Sequence, residues 1–153
     1  MKKLFVLLLL FTASLTFGQT YSTQKKLTPQ EKLNEEYCSG LFKNADGTIL
    51  EIADNQSAQS YLNILDWLEG RVAGLQVYST WASVKIPFIR GSQAKIYVDE
   101  MAVDPGYLNS LPITDIAMIK VIKGPPASVF GATSVIAIYT IKDEDEDEED
   151  DAQ

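Results

Sequence analysis

The sequence predicts an α+β domain: a small mixed β-sheet with one main helix and several short helices packed on it. Three observations carry this. Between residues 46 and 142, short runs rich in Ile, Val, Tyr and Met alternate with turn signals built from Gly, Pro, Asn and Asp. A stretch from Ser57 shows the apolar spacing of a helical face. The last two strand-like runs flank a short proline-led link, a compact crossover that joins neighbouring strands.

Gln19 to Leu33 is polar and lysine-bearing, with few apolar anchors. Residues 19–45 therefore read as a flexible lead, with a helical turn from Pro29 after the candidate cap Thr28. Asn44, Ala45, Asp46 and Gly47 form a turn signal, and Thr48 to Ile52 alternates as a short strand. Asp54, Asn55 and Ser57 offer caps for the main helix. Its apolar face would be Ala58, Tyr61, Leu62, Leu65 and Leu68, with an end near Arg71 and Gly74 in the turn beyond.

Leu75 to Tyr78 is the next strand. Val84 to Phe88 alternates too, but Pro87 cannot donate to a ladder, so that segment is expected at an edge or irregular. Arg90, Gly91 and Ser92 turn the chain. Ala94, Ile96 and Val98 should face one way while Lys95, Tyr97 and Asp99 face the other. Asp104, Pro105 and Gly106 make a turn, with a helical turn at Tyr107 to Leu111. Ile116 to Lys123 is a strand, stopped by Gly124, Pro125 and Pro126. Ala127 to Phe130 is a brief helix, and Val135 to Ile141 the last strand. The folded domain is placed at residues 46–142.

The two ends read differently. Lys2 and Lys3 precede the apolar run Leu4 to Leu15, and small residues follow at Thr16 and Gly18. That three-part pattern predicts a secretory signal peptide over residues 1–18, cut before Gln19. The run is shorter than the roughly 20 residues that span a bilayer. Residues 143–153 read as a disordered acidic tail, because Asp143 to Asp151 is an unbroken run of nine acidic residues. Much of the chain's net charge of −8 is therefore local. The run reads either as a solubilising tail or as a binder of a basic partner or of divalent cations. Cys38 is the one cysteine, so the chain has no internal disulfide to form, and it reads as a small buried apolar residue.

The sequence contains no histidine. That removes Ser–His–Asp and Cys–His pairs, histidine metal sites and the commonest general acid–base group. There is no cysteine pair for zinc and no glycine-rich phosphate loop. Asp66, Glu69, Asp99, Glu100, Asp104 and Asp115 read as cap or solvated-face carboxylates. No catalytic residue, no cofactor and no metal site is predicted, and the chain is not read as an enzyme. Lys85, Arg90, Lys95, Lys120 and Lys123 are scattered among apolar strands, and an acidic run would repel phosphates, so nucleic acid is not an expected partner.

Several segments together resemble a known family. Leu68-Glu69-Gly70-Arg71-Val72-Ala73-Gly74-Leu75-Gln76-Val77 is similar to the helix-end segment of TonB-dependent receptor plugs, in the SusC-like branch. Ile89-Arg90-Gly91 resembles its Ile-Arg-Gly step, and Ile96-Tyr97-Val98-Asp99 its Tyr-Val-Asp-Gly strand. Asp115 to Gly124 resembles the strand written Asp-Ile-x-x-Ile-x-Val-x-Lys-Gly. Phe130-Gly131-Ala132 and Val135 to Thr140 resemble the closing Tyr-Gly step and Val-Ile-x-Ile-x-Thr strand. The order and spacing hold from about residue 57 to 142.

The resemblance implies a plug-like α+β fold and marks Gly70, Arg71, Gly74, Arg90, Gly91, Asp99, Asp115, Lys123, Gly124 and Gly131 as motif positions, structural or interacting. The glycines stand at element ends, where positive φ or close approach is common. Ile116, Ile119 and Val121 would be core anchors. Arg90 could pair with an acidic group or a carbonyl at its turn. The chain departs from the pattern at Glu100, where the family has Gly, and at Thr133-Ser134, where it has Asn-Gly.

A barrel of about 22 strands at about 9–11 residues each needs on the order of 200 residues, which are not expected after Lys142. Gln19 to Leu33 also lacks the alternating pattern of a TonB box. The expectation is an exported interaction module, periplasmic or outer-membrane-associated. Its expected partner is a receptor barrel, a TonB-like protein or a surface lipoprotein, and it would meet the membrane only through that partner. Two alternatives stand beside it: a periplasmic small-ligand or divalent-cation binder, and a barrel-less relic of a receptor.

Overall fold

The structure is a computed structural model that describes residues 26–142. The expected signal peptide and acidic run lie outside those residues. Eight strands follow in chain order: β1 Thr48–Glu51, β2 Leu75–Ser79, β3 Lys85–Ile89, β4 Ser92–Gln93, β5 Lys95–Val98, β6 Met101–Val103, β7 Ile116–Lys123 and β8 Ser134–Thr140. Four short α-helices are α1 Pro29–Tyr37, α2 Gly40–Asn44, α3 Gln56–Gln59 and α4 Ile64–Leu68. Single 3-10 segments cover Pro105–Asn109, Ile113–Asp115 and Pro125–Phe130. The fold class is α+β, as the sequence predicts.

One sheet has the order β1-β7-β8-β5-β6, and a three-stranded meander has the order β2-β3-β4. In the larger sheet β5 and β8 run parallel while the other neighbours are antiparallel. β7 and β8 are covered on both faces, and so read as continuous apolar runs. Their pleat sends alternate residues to opposite sides. Ile119, Val121, Ile136 and Ile138 join a first cluster with Leu65, Trp67, Leu68, Ile89, Ile96 and Val98. Met118, Ile122, Val135, Ala137 and Tyr139 join a second with Cys38 and Phe42. Ile116 shares the first cluster with Ile119 despite their odd spacing, because a bulge shifts the register between Ile116 and Met118. The expected anchors Ile116, Ile119 and Val121 are all on that face.

The main helix expected from Ser57 to Arg71 is two helices. Asn55 caps α3, accepting from the Ser57 and Ala58 amides at 3.1 and 3.3 Å. The chain then leaves helical geometry, and Asn63 sits extended at φ −136°. Its Oδ1 accepts from the Leu65 amide at 2.9 Å, which starts α4, while its Nδ2 donates to Asn109 Oδ1 at 3.0 Å. Asn63 is buried, so this cap cannot be traded for water. Ala58, Leu65 and Leu68 reach the core as expected, but Leu62 is 99% exposed and Tyr61 is also exposed.

The described part of the expected lead is helical. Thr28 and Glu31 form a capping box, with the Glu31 amide 3.2 Å from Thr28 Oγ1 and the Thr28 amide 2.8 Å from Glu31 Oε2. Leu33, Tyr37, Cys38 and Phe42 then provide the apolar contacts that a polar-looking stretch conceals. Cys38 is buried, as predicted.

β3 is the middle strand of its sheet rather than an edge. The Arg90 amide donates to Gly74 O and the Thr80 amide to Val84 O, both at 2.9 Å, which places Pro87 at a non-hydrogen-bonded step against β2. Its missing donor faces β4 instead. The Pro87 carbonyl accepts from Ala94 there at 2.9 Å, and β4 ends after two residues. The short strands β4 and β6 were not foreseen.

Candidate functional site

The motif positions separate into three places. The first is a cleft at the end of the sheet where β7 stops and β8 begins. Its volume is about 260 Å³, and Ile89, Arg90, Ser92, Lys123, Gly124 and Thr133 line it. Arg90 (φ 54°) and Gly91 (φ 81°) are the two central residues of the β3–β4 turn, because Ile89 pairs with Ser92. A two-residue hairpin turn with both residues at positive φ is what this link requires. Gly74 approaches from β2. A Cβ there would stand 3.3 Å from Arg90 Cγ, so the missing side chain makes room for the arginine stem.

Gly124 ends β7 at φ 72°, ψ −143°, a region essentially closed to other residues. Its amide donates to Thr133 O at 2.9 Å, which closes the proline-led link between β7 and β8. Gly131 ends that link in left-handed geometry, with Lys95 Nζ 3.4 Å from where a Cβ would be. Lys95 donates to Phe130 O at 2.9 Å, and Lys123 to Ala73 O at 3.4 Å. The Arg90 side chain is exposed and makes no hydrogen bond or ion pair among the described residues. The expected pairing of Arg90 with an acidic group or carbonyl at its turn is therefore corrected. The turn forms from backbone geometry alone and leaves the guanidinium unsatisfied by protein.

The second place lies at the start of β2 and holds Gly70 and Arg71. Arg71 donates to Trp67 O at 2.8 Å and to Ser57 Oγ at 2.9 Å, with its guanidinium 4.5 Å from the Trp67 ring centroid. It ties α3 to α4 and is spent within the fold. Gly70 at φ 86° supplies the turn after α4.

The third place is the opposite end of the sheet and holds Asp99 and Asp115. Asp99 accepts from the Thr140 amide and the Thr140 hydroxyl, both at 2.9 Å, and so pins the β5–β6 turn to the end of β8. Asp115 accepts from Thr114 Oγ1 at 3.1 Å. The structure does not bring these carboxylates near Arg90 or Lys123.

Two charged residues were misread in the sequence. Lys120, taken for one of several scattered cations, is 2% exposed in the middle of β7. Its Nζ donates to Asn34 Oδ1 and Phe42 O at 2.6 Å each, and to Lys43 O at 3.5 Å. Burial pulls its pKa below the usual lysine value, with Cys38 and Asp46 pushing the other way. Glu100, read as a cap or solvated-face carboxylate, accepts from the Ser39 amide at 2.6 Å, from the Ser39 hydroxyl and from Tyr139 Oη at 3.3 Å. Strand alternation held the signal for Lys120, since it shares parity with Met118 and Ile122. No local signal pointed Glu100 at a residue 61 positions away.

The other carboxylates fall as expected. Asp104 caps the next turn through the Gly106 amide at 2.8 Å, Glu69 accepts from the Val77 amide at 2.9 Å, and Asp66 pairs with Lys85. Ser134 Oγ is a buried hydroxyl with no partner, at a position where the family pattern has glycine. Among the described residues, no three His, Cys, Asp or Glu side chains are placed to hold a metal ion, and no helix is long and apolar enough to cross a membrane.

The family pattern of the TonB-dependent Receptor Plug Domain matches residues 48–138. Among solved structures, the RagAB peptide importer in its open-open state is 26% identical, with a TM-score of 0.53 over 64% of this chain and 12% of that one. The siderophore receptor PirA from Acinetobacter baumannii is 19% identical, with a TM-score of 0.53 over 76% of this chain and 19% of that one. A mutant ferric enterobactin receptor PfeA from Pseudomonas aeruginosa is 21% identical, with a TM-score of 0.51 over 63% and 17%. The latter two likenesses concern the fold alone. The chain thus spans between 12% and 19% of the length of these structures. No curated protein matches it.

Proposed function

Because this chain belongs to the TonB-dependent receptor plug family, we propose that it is an exported, non-enzymatic interaction module that docks on an outer-membrane receptor or another uptake component of the envelope. The observation that carries this reading is Arg90. A turn geometry that any two residues tolerant of positive φ could satisfy presents an arginine whose guanidinium has no partner among the described residues. Lys123 lies across the same cleft. A planar five-donor fork beside a second cation suits a carboxylate pair on a protein surface. The membership supplies the class of partner, and the cleft supplies the chemistry.

The test is recovery of partners from an outer-membrane extract with the tagged full-length chain, in wild-type and Arg90→Glu forms. The expected result is an envelope receptor component bound by the wild type and reduced at least tenfold by the charge reversal, on the scale of a lost charge-assisted pair. Equal recovery by both forms, or nothing above a scrambled-surface control, would remove the proposal. Folding of Arg90→Glu is checked by unfolding in urea, where little change is expected because the side chain makes no hydrogen bond or ion pair among the described residues.

A further inference from the structure

We propose that the helical segment from Thr28 to Ala45 is a strap that opens and closes over the second face of the five-stranded sheet as a unit of its own, and that Glu100 is its latch.

The strap lies wholly before the matched stretch, which begins at residue 48. It covers Met118, Ala137 and Tyr139 with few apolar anchors of its own. α1 contributes no buried residue, and the deep contacts come from Cys38 and Phe42. Phe42 inserts between Tyr97 and Phe130, with ring centroids 5.1 and 4.5 Å away. The remaining ties are the shallower contacts of Leu33 and Tyr37, whose ring lies 6.5 Å from that of Tyr139, and polar ones: Lys120 to α1 and α2, Lys142 Nζ to Glu36 O at 2.8 Å, and Glu100 to Ser39. An element held by two deep side chains, a few half-buried ones and a few hydrogen bonds belongs to the low-stability end of a fold.

Glu100 is out of place unless it latches. It is the second central residue of the two-residue β5–β6 turn, with Asp99 at φ 46° and Glu100 at φ 66°. Glycine or asparagine serves such a turn better, and any longer side chain there carries strain. What glutamate adds is reach. Ser39 precedes α2, yet its side chain makes no capping bond to that helix. It is turned to the Glu100 carboxylate, which takes the amide and the hydroxyl together. Tyr139 steadies the same carboxylate from beneath. The strain in the turn and the tie to the strap therefore come from one side chain, and substitution can separate them.

Cys38 is the sole cysteine and is buried on the strap's inner side against the sheet, so its labelling by a thiol reagent reports opening in the unmodified full-length chain. Glu100→Gly relieves the turn while removing the latch. Expected is labelling faster by roughly tenfold to a hundredfold, the range for losing hydrogen bonds to a charged group. Stability to urea of the sheet, followed by amide protection in β7 and β8, should hold or rise. Glu100→Ala keeps the turn strain and also loses the latch, so it should speed labelling as well, without the gain in sheet stability that glycine allows. An unchanged labelling rate in both variants overturns the proposal. So does labelling that merely tracks sheet unfolding, since Cys38 would then be reached only by global opening.

Discussion

Replacing Lys120 with methionine tests whether the buried cation holds the strap or is only tolerated beneath it. The methionine stem matches the lysine stem closely in volume, so the change isolates the ammonium. Two acceptors, Asn34 Oδ1 and Phe42 O, lose a donor at 2.6 Å. The Phe42 and Lys43 carbonyls belong to the last turn of α2, where no intrahelical donor follows. A buried acceptor left unmet costs about 1–3 kcal/mol, and this falls on the Phe42 carbonyl, since Asn34 is half-buried and can turn to water. Against this stands relief from desolvating the ammonium, a penalty of several kcal/mol that its hydrogen bonds already offset in the native state. The two contributions leave a net loss of about 2 kcal/mol, confined to the strap. Cys38 labelling should then accelerate by roughly thirtyfold, with amide protection lost in α1 and α2 and kept in β8. A variant as stable as wild type, with its thiol labelled no faster, would show that the carbonyls find water and that Lys120 holds nothing.

Three further outcomes follow from the same geometry. Gly124→Ala should cost about 1–3 kcal/mol in urea unfolding although nothing crowds the position, because its backbone lies outside the range of other residues; a loss under about 0.5 kcal/mol would mean the β7–β8 link can rearrange. Ser134→Ala should be neutral or stabilising by about 1 kcal/mol, since it removes a buried hydroxyl with no partner; clear destabilisation would point to a bond the fold does not show. Stability should fall as pH rises past 9, because burial raises the thiol of Cys38 above its ordinary 9.0 and the phenols of Tyr37 and Tyr139 above 10.0. Groups raised in the folded state hold more protons there than when unfolded, so their contribution is complete below the unfolded values and is lost above them. Lys120 acts oppositely, gaining stability as pH climbs from its lowered value toward 10.5. Lys120→Met should therefore steepen the alkaline fall and Cys38→Ala flatten it, and an unaltered slope in both would refute the assignment.

How much of this was legible in the sequence follows from the pleat. The strand pattern Asp-Ile-x-x-Ile-x-Val-x-Lys-Gly specifies Ile116, Ile119 and Val121, and all three face the first core cluster. Of its four unspecified positions, Met118, Lys120 and Ile122 face the strap. The closing strand divides the same way, with Ile136 and Ile138 on the first face and Ala137 and Tyr139 on the second. Apart from Val135, which lies on the second face, the apolar residues read as a motif in these two strands describe one face. The other face answers to a segment with too few apolar residues to announce itself. The split at Asn63 was hidden for a different reason. Ala58, Leu65 and Leu68 keep helical spacing across a break, because both short helices pack on one core, and only the exposure of Leu62 reveals it.

The same division bears on what the two ends of the sheet can do. At one end, turn glycines fix the backbone and leave Arg90 with no role in holding it. A side chain that the fold does not need, beside a cleft that the fold cannot avoid making, is free to answer to a partner. At the other end Asp99 and Glu100 also hold positive φ, as Arg90 does, but each side chain is tied to another element. Strain tolerated for an internal contact serves the chain's own conformation rather than a ligand. The surface proposed to bind through Arg90 and the strap proposed to be latched by Glu100 thus lie at opposite ends of β8, joined by a strand buried on both faces. If docking at the cleft altered Cys38 labelling, the coupling would have to pass through β7 and β8, whose close packing transmits displacement but yields little. Arg90→Glu, which leaves both strands untouched, should therefore label Cys38 at the wild-type rate in the free chain. A rate shifted by more than about threefold would mean that the two ends are not independent.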